Sequence, residues 1–557
     1  MKEKMILILI VGILALGGFG ASAFKVDSED IRNIDIKEKC LLNNINGQSG
    51  LQEEWNKTFG GRFFDHILDG KKTNDGFYIV CGSTRSFDNE NGENEDGWLL
   101  KTDTYGNEIW NKTYDKMEED VLARVHQTSD NGYILNGWII SSDGKYHDSW
   151  IIKTDEYGVE IWNNTFGGIY IDYSYSNIVE TSDDGYLLSG FSNSYGDFDG
   201  DLWVLKIDGN GNEEWNKTFG GAKRDYGVDI INAHDGGYII LGNTFSYGEG
   251  DSDCWIIKID DNGNEQWSKT FGDNFYNNVR RIRKTGDGGY IVVGTSFYVI
   301  DAEFDYFYLD FDIWVFKIDL LGNLKWETTI GDRFVEEFAN SIQPSSDSGF
   351  LISGMMIDKS NGKTDGLLMK IDGNGCVEWK NIFGGLKHED TFKVIQTEND
   401  DYVVFGYTNS YGEGDYDAWI IKFSYFENER PHTPNKPIGP LAGRIMDYCD
   451  YSCIGTEPEG QEIYYLFNWG DGYDSGWLGP YDSGESCIAT YFWSDQGDYE
   501  IRVKIKDVHG GESDWSDPLS VRMPRNMVLK NFVLLRFIDR LGESFPLMKY
   551  IIKILEE

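Results

Sequence analysis

From residue 53 onward, apolar residues come in short runs cut by Gly, Asp and Asn. Tyr238 to Gly242 and Trp255 to Ile259 are apolar at consecutive positions, as expected of strands covered on both faces. A more polar segment, Val228 to Asn232, precedes them, and Glu265 to Thr270 follows. The pattern predicts four short antiparallel strands per unit, each strand closed by a turn signal.

The unit repeats. Trp55, Trp110, Trp162, Trp215, Trp267, Trp326 and Trp379 recur about every fifty residues, a period typical of repeat architectures. Each copy carries a Gly-aromatic strand start such as Gly237-Tyr238, varied in the first and last copies. Each also carries Asp-x-Trp, two apolar residues and Lys, as in Asp148 to Lys153, with Leu367 replacing Trp in the sixth. The seventh copy stops after Trp419-Ile420-Ile421-Lys422 without a fourth strand, while the array opens at Glu53 with a fourth strand lacking the other three. An all-β fold follows: a seven-bladed β-propeller over 53–427, closed by pairing of the N-terminal strand with the last blade. Lys206 to Trp215, read as Lys-x-Asp-x-x-Gly-x-x-x-Trp, resembles the Trp-docking repeat of quinoprotein-type propellers. The whole unit is similar to the repeats of secreted prokaryotic β-propeller surface proteins, groups that include both enzymes and binding proteins.

The flanks add further units. Lys2 and Lys4, the apolar run Met5 to Leu16 and Ala21-Ser22-Ala23 have the order of a signal peptide over 1–23, leaving an N-terminal segment 24–52. Pro431, Pro434, Pro437 and Pro440 mark a stiff linker over 428–440. In 441–523, Tyr499, Ile501, Val503 and Ile505 alternate with charged residues, the period of a strand with one wet face. With Phe467 to Gly472 and Gly497-Asp498-Tyr499, this part resembles a polycystic-kidney-disease-type (PKD) β-sandwich, which implies a spacer or adhesion module. The tail 524–557 predicts a short amphipathic helical segment broken near Gly542 and Pro546. Beyond the leader, the expectation is no transmembrane span, and export to the cell surface or medium.

The formal net charge of -44 disfavours nucleic acid, whose phosphates are neutralised by Lys and Arg. Cys40, Cys81, Cys254 and Cys376 are scattered and expected to be free thiols, whereas Cys449, Cys453 and Cys487 lie close enough to supply one disulfide. The seven histidines are dispersed, and no metalloprotease, nucleophile-elbow or phosphate-loop motif occurs.

Residues repeated in every copy are read as scaffold, so the recurring Asp and Lys are assigned to turns and inter-blade pairing. Chemistry is expected where the copies differ. The fifth copy inserts Tyr298, Phe304, Tyr306, Phe307 and Tyr308 among acidic residues, a surface suited to stacking on a glycan or meeting an envelope protein; the competing reading is a longer hairpin packed on its neighbours. Carboxylates on alternate residues, Asp197-x-Asp199-x-Asp201, Asp251-x-Asp253 and Asp415-x-Asp417, are candidate calcium ligands, against ordinary Asx turns. Asn56, Asn111, Asn163 and Asn216 each begin Asn-x-Thr and are candidate glycan acceptors. The leading expectation is an exported, non-enzymatic binding or cell-surface protein. Its alternative is an extracellular carbohydrate-active hydrolase or lyase using two carboxylates at the central channel.

Overall fold

The computed structural model describes residues 50–523, apart from 88–91, 93, 118, 141–146, 275, 300–308, 333–334, 427–428 and 509. The expected leader, most of the N-terminal segment and the expected helical tail lie outside the described residues. Within them the protein is all-β, without a helix, and therefore without one long and apolar enough to cross a membrane.

Seven antiparallel sheets follow one another: sheet 1 (Asp65 to Tyr114), sheet 2 (Asp120 to Phe166), sheet 3 (Asp172 to Phe219), sheet 4 (Asp225 to Phe271), sheet 5 (Tyr276 to Ile330), sheet 6 (Val335 to Phe383) and sheet 7. Sheet 7 combines Glu389–Gln396, Tyr402–Thr408 and Asp417–Phe426 with the distant Gly50–Phe59. The register runs from Gly50 opposite Phe426 to Phe59 opposite Ala418. Sheet 3 differs from the four-strand expectation because its first strand is split into Asp172–Tyr173 and Ile178–Glu180. The first strands of consecutive sheets touch from 1 through 7, and that of sheet 7 touches that of sheet 1. In sheet 4, Tyr238–Thr244 and Asp253–Ile259 are buried at every position, while Glu265–Phe271 is half-exposed. This is the burial that their apolar and mixed patterns predict.

Three recurring contacts explain the consensus. First, the second strand of each sheet holds a glycine (82, 137, 190, 242, 294, 354, 406) where a Cβ would lie 1.8 to 2.8 Å from a first-strand carbonyl oxygen. Six of these first strands carry a bulge beside that contact, and in sheet 3 the strand break takes its place. Second, the turn glycines 106, 158, 211, 263, 322 and 375 have φ between 74° and 89°. A Cβ there would come within 2.6 to 3.0 Å of indole carbons of Trp55, Trp110, Trp162, Trp215, Trp267 and Trp326, each from the preceding sheet. Trp55 of sheet 7 thus docks on sheet 1. Third, Lys101, Lys153, Lys206, Lys258, Lys317, Lys370 and Lys422 pair with Asp75, Asp130, Asp183, Asp235, Asp287, Asp347 and Asp401. These pairs join the third strand to the turn between the first two strands of the same sheet. The lysines thus pair with the turn of their own sheet, and Lys101 also lies over the Tyr133 ring of sheet 2 at 6.0 Å.

The C-terminal unit is a sandwich of one two-stranded and one four-stranded sheet. Ile501, Val503 and Ile505 are fully buried beside Phe467, Trp469 and Trp493, and Glu500 and Arg502 face water, as the alternation predicts. The proline-bearing segment runs along Cys449–Ile454, with Asn435 N donating to Ile454 O at 3.0 Å and Ile438 N to Ser452 O at 2.8 Å. Cys449, Cys453 and Cys487 are free thiols, although Cys453 and Cys487 oppose each other across neighbouring strands. Cys376, expected to be free, is disulfide-bonded.

Candidate functional site

The bulged first strands bring an unanticipated set of charges together. Counting four residues on from the acidic or amide residue near the start of each first strand gives Asp69, Arg124, Ser176, Asp229, Arg281, Ser341 and Lys393. Lys71 and Arg283 follow two residues after Asp69 and Arg281. Asp69, Arg124, Asp229, Arg281 and Lys393 are all buried. Arg283 Nη1 donates to Asp229 Oδ2 at 2.7 Å, and the Ile282 amide donates to the same oxygen at 3.1 Å. Lys393 Nζ stands 3.9 Å from Asp69 Oδ1, and Lys71 Nζ donates to Asn177 Oδ1 at 3.3 Å.

Five cations face two carboxylates here. Burial alone would raise the Asp69 carboxyl, but Lys393, Lys71, Arg124 and Arg281 overcome it and hold it below its ordinary value. Asp229 behaves likewise: burial opposes ionisation, and Arg283, Arg281 and the Ile282 amide prevail. On the cations, burial acts together with mutual repulsion. It pushes Lys393 well below the usual lysine value with help from Arg283, Lys71 and Arg281, and it lowers Lys71 with help from Arg283. Arg281 falls to about 9 through burial and the charge of Arg124. The surplus is positive, inside a protein whose total charge is -44. At one end these groups open into a cavity of about 680 Å³ lined by Lys71, Arg283, Lys393, Asn177, Gln343 and Gln396, with Lys72 and Glu398 also in its wall. That volume suits a small ligand.

Asp69 and Asp229 are both matched by cations, whereas burial raises the Asp390 carboxyl, also on a first strand, to about 7. Asp69 and Asp229 are therefore held outside the raised, protonated range that a general acid requires. His66 and His126 are neutral near pH 7, since burial lowers them to about 4 and about 3.

The residues singled out from the sequence lie elsewhere. In the fifth sheet, Phe304, Tyr306, Phe307 and Tyr308 fall outside the described residues, as does the side chain of Tyr298. At the base of that insert the hairpin is extended, Tyr298 opposing Asp310 and Val299 opposing Leu309. Phe297 stacks on Tyr276 at 4.8 Å and meets Phe311 at 5.1 Å, and Phe311 meets Phe338 of sheet 6 at 5.2 Å. Asp197, Asp199, Asp251 and Asp415 are exposed, whereas Asp201, Asp253 and Asp417 are buried. The buried members cap their loops, Asp201 Oδ2 accepting from Asp197 N at 3.0 Å and Asp253 Oδ2 from Gly250 N at 3.1 Å. Asp199 also borders a second hollow of about 410 Å³ with Tyr173, Phe191, Phe198 and Arg224. Asn111, Asn163 and Asn216 each donate from Nδ2 to the glutamate three residues earlier at 2.6 Å, and Asn56 bonds Glu53 in the same way.

Sequence reasoning missed the buried cations because it sought chemistry in loops. The signal was a column of the repeat that stays polar in all seven copies while its neighbours vary.

Comparison with known proteins places one part of the chain. No family model matches it, and no curated protein does. One stretch of the chain is similar to a PKD domain. It is 41% identical to the PKD domain of an M14-like peptidase from Thermoplasmatales archaeon SCGC AB-540-F20, over 17% of this chain and 98% of that chain, with a TM-score of 0.17. An endo-arabinase from Bacteroides thetaiotaomicron VPI-5482 is 11% identical over 45% of this chain and 93% of its own, with a TM-score of 0.28. A β-1,2-mannobiose phosphorylase from Listeria innocua is 10% identical over 66% and 90%, with a TM-score of 0.28. Likenesses at the last two values carry no argument about this chain.

Proposed function

We propose that this chain is an exported, non-enzymatic binding or cell-surface protein. Its seven sheets are the blades of one closed β-propeller, the central channel takes an anionic ligand, and the PKD domain spaces or attaches the propeller. The cyclic contacts of the first strands and the ladder between Gly50–Phe59 and Asp417–Phe426 support the closed propeller. The observation that carries the binding reading is the surplus of buried cations behind the 680 Å³ cavity. Like charges held this close oppose one another until an anion joins them, so binding relieves a repulsion already built into the protein. A glycan bearing carboxylate or sulfate groups is the ligand class that fits, since carboxylates and sulfates accept from Lys and Arg. At physiological salt the acidic exterior is screened beyond about 8 Å and does not bar entry.

The reading is tested by titrating the full exported chain with uronate and sulfated oligosaccharides and their neutral counterparts, with product analysis in parallel. The expected result is binding of the charged oligosaccharides without turnover, weakened at least tenfold by Lys71→Met and by Lys393→Met in variants with unchanged circular dichroism. Equal binding of neutral oligosaccharides, or any cleavage product, would overturn it.

A further inference from the structure

At each junction between sheets, an acid of the third strand (Asp96, Asp148, Asp201, Asp253, Asp312, Asp365, Asp417) sits near the start of the next first strand (Asp120, Asp172, Asp225, Asn277, Glu337, Glu389, Asp65). Six junctions place glycine between the two side chains, at residues 60, 167, 220, 272, 331 and 384. A Cβ at these glycines would lie 1.9 to 2.7 Å from the third-strand aspartate oxygen. At the junction of sheets 1 and 2 the equivalent residue is Asp115. This copy puts a third carboxylate where the other six have no side chain.

The geometry points to a divalent-cation site, with calcium as its ion, formed by Asp96, Asp115 and Asp120. One oxygen from each lies within 4.8 Å of the other two, and among the described residues this is the group of three that meets that condition. Oxygens sharing one calcium at 2.3 to 2.6 Å stand no more than about 5 Å apart. The second observation is the state of Asp120. It is fully buried, its Oδ2 accepts from the amides of Lys116 at 2.6 Å and Met117 at 2.9 Å, and its Oδ1 has no hydrogen-bond partner. A buried carboxylate oxygen without a donor is unfavourable unless something positive meets it. The cations near by are engaged otherwise: the Lys116 ammonium donates to Asn163 Oδ1 at 2.6 Å, and Arg85 is 2.7 Å from Glu95 Oε2. Asp115 is exposed, so the ion enters from solvent and keeps water in its remaining positions.

The test uses the full chain, stripped with chelator and titrated with CaCl₂ by calorimetry, beside Asp115→Gly, which restores the residue that the other six junctions carry. The wild type is expected to bind calcium with a Kd at or below about 1 mM and to melt higher in calcium than in chelator. Asp115→Gly should keep its circular dichroism spectrum and bind calcium at this junction at least tenfold more weakly. If the glycine variant fails to fold, Asp115→Asn, which keeps the shape and removes the charge, takes its place. A wild type whose melting ignores calcium, or variants with the wild-type calcium isotherm, would overturn the assignment.

Discussion

The junction where sheet 7 meets sheet 1 should weaken as pH rises through 6, and Asp417→Asn should abolish that weakening. Asp417 is 3% exposed and Asp65 is fully buried, and the two carboxylates flank Gly60. Asp65 is well supplied with donors: Gly61 N at 2.8 Å and Ser86 Oγ at 2.6 Å to Oδ2, with Thr84 Oγ1 and Arg85 N to Oδ1. Asp417 is not supplied equally, so burial and then the charge of Asp65 push it up to about 6. A carboxyl raised in the folded state contributes stability that is fully present below its unfolded value, near 4, and is lost as pH rises through the folded one. A rise of that size corresponds to about 3 kcal/mol, lost between about pH 4 and about pH 7. Asparagine mimics the protonated acid at every pH. Urea denaturation of wild type and Asp417→Asn, in chelator, should therefore give similar stabilities near pH 4. Near pH 8 the variant should be more stable by up to about 3 kcal/mol. A difference between the two proteins that stays constant with pH, to within about 1 kcal/mol, would refute the argument that these two carboxylates oppose each other.

Two further outcomes follow from the fold. Removing residues 24 to 62 takes away the strand Gly50–Phe59 and Trp55, leaving the edge Asp417–Phe426 unpaired; the melting temperature should fall and aggregation rise, and an unchanged melting curve would contradict closure by this strand. Gly137→Ala sets a methyl group 1.8 Å from the Val121 carbonyl oxygen, so the bulge in sheet 2 must shift, with an expected loss of about 3 kcal/mol in chemical denaturation. A loss below about 1 kcal/mol would show that the bulge does not depend on that close approach.

Much of the fold was legible in the amino-acid order because it is local and repeated. Strand positions follow from apolar runs, turns from Asp and Gly, and the number of sheets from seven tryptophans. Even the pairing of Gly50–Phe59 with the last sheet was readable, since one end of the array lacks what the other end has in excess. The positions of the lysines were plain too, but not their partners: Lys101 and Asp75 are 26 residues apart, and only the hairpin brings them within 2.7 Å. The charged interior was harder still. Asp69, Arg124, Asp229, Arg281 and Lys393 come from five different sheets, and nothing local to any one of them tells that the others are near. The sequence by itself determined the unit, its count and the N-terminal strand that pairs with the last sheet, because backbone pattern and turn chemistry act over a few residues. Only the tertiary structure decided that five cations meet two carboxylates along the first strands and that three aspartates meet at one junction, because Coulomb energy and desolvation depend on distances that exist only once the sheets are packed.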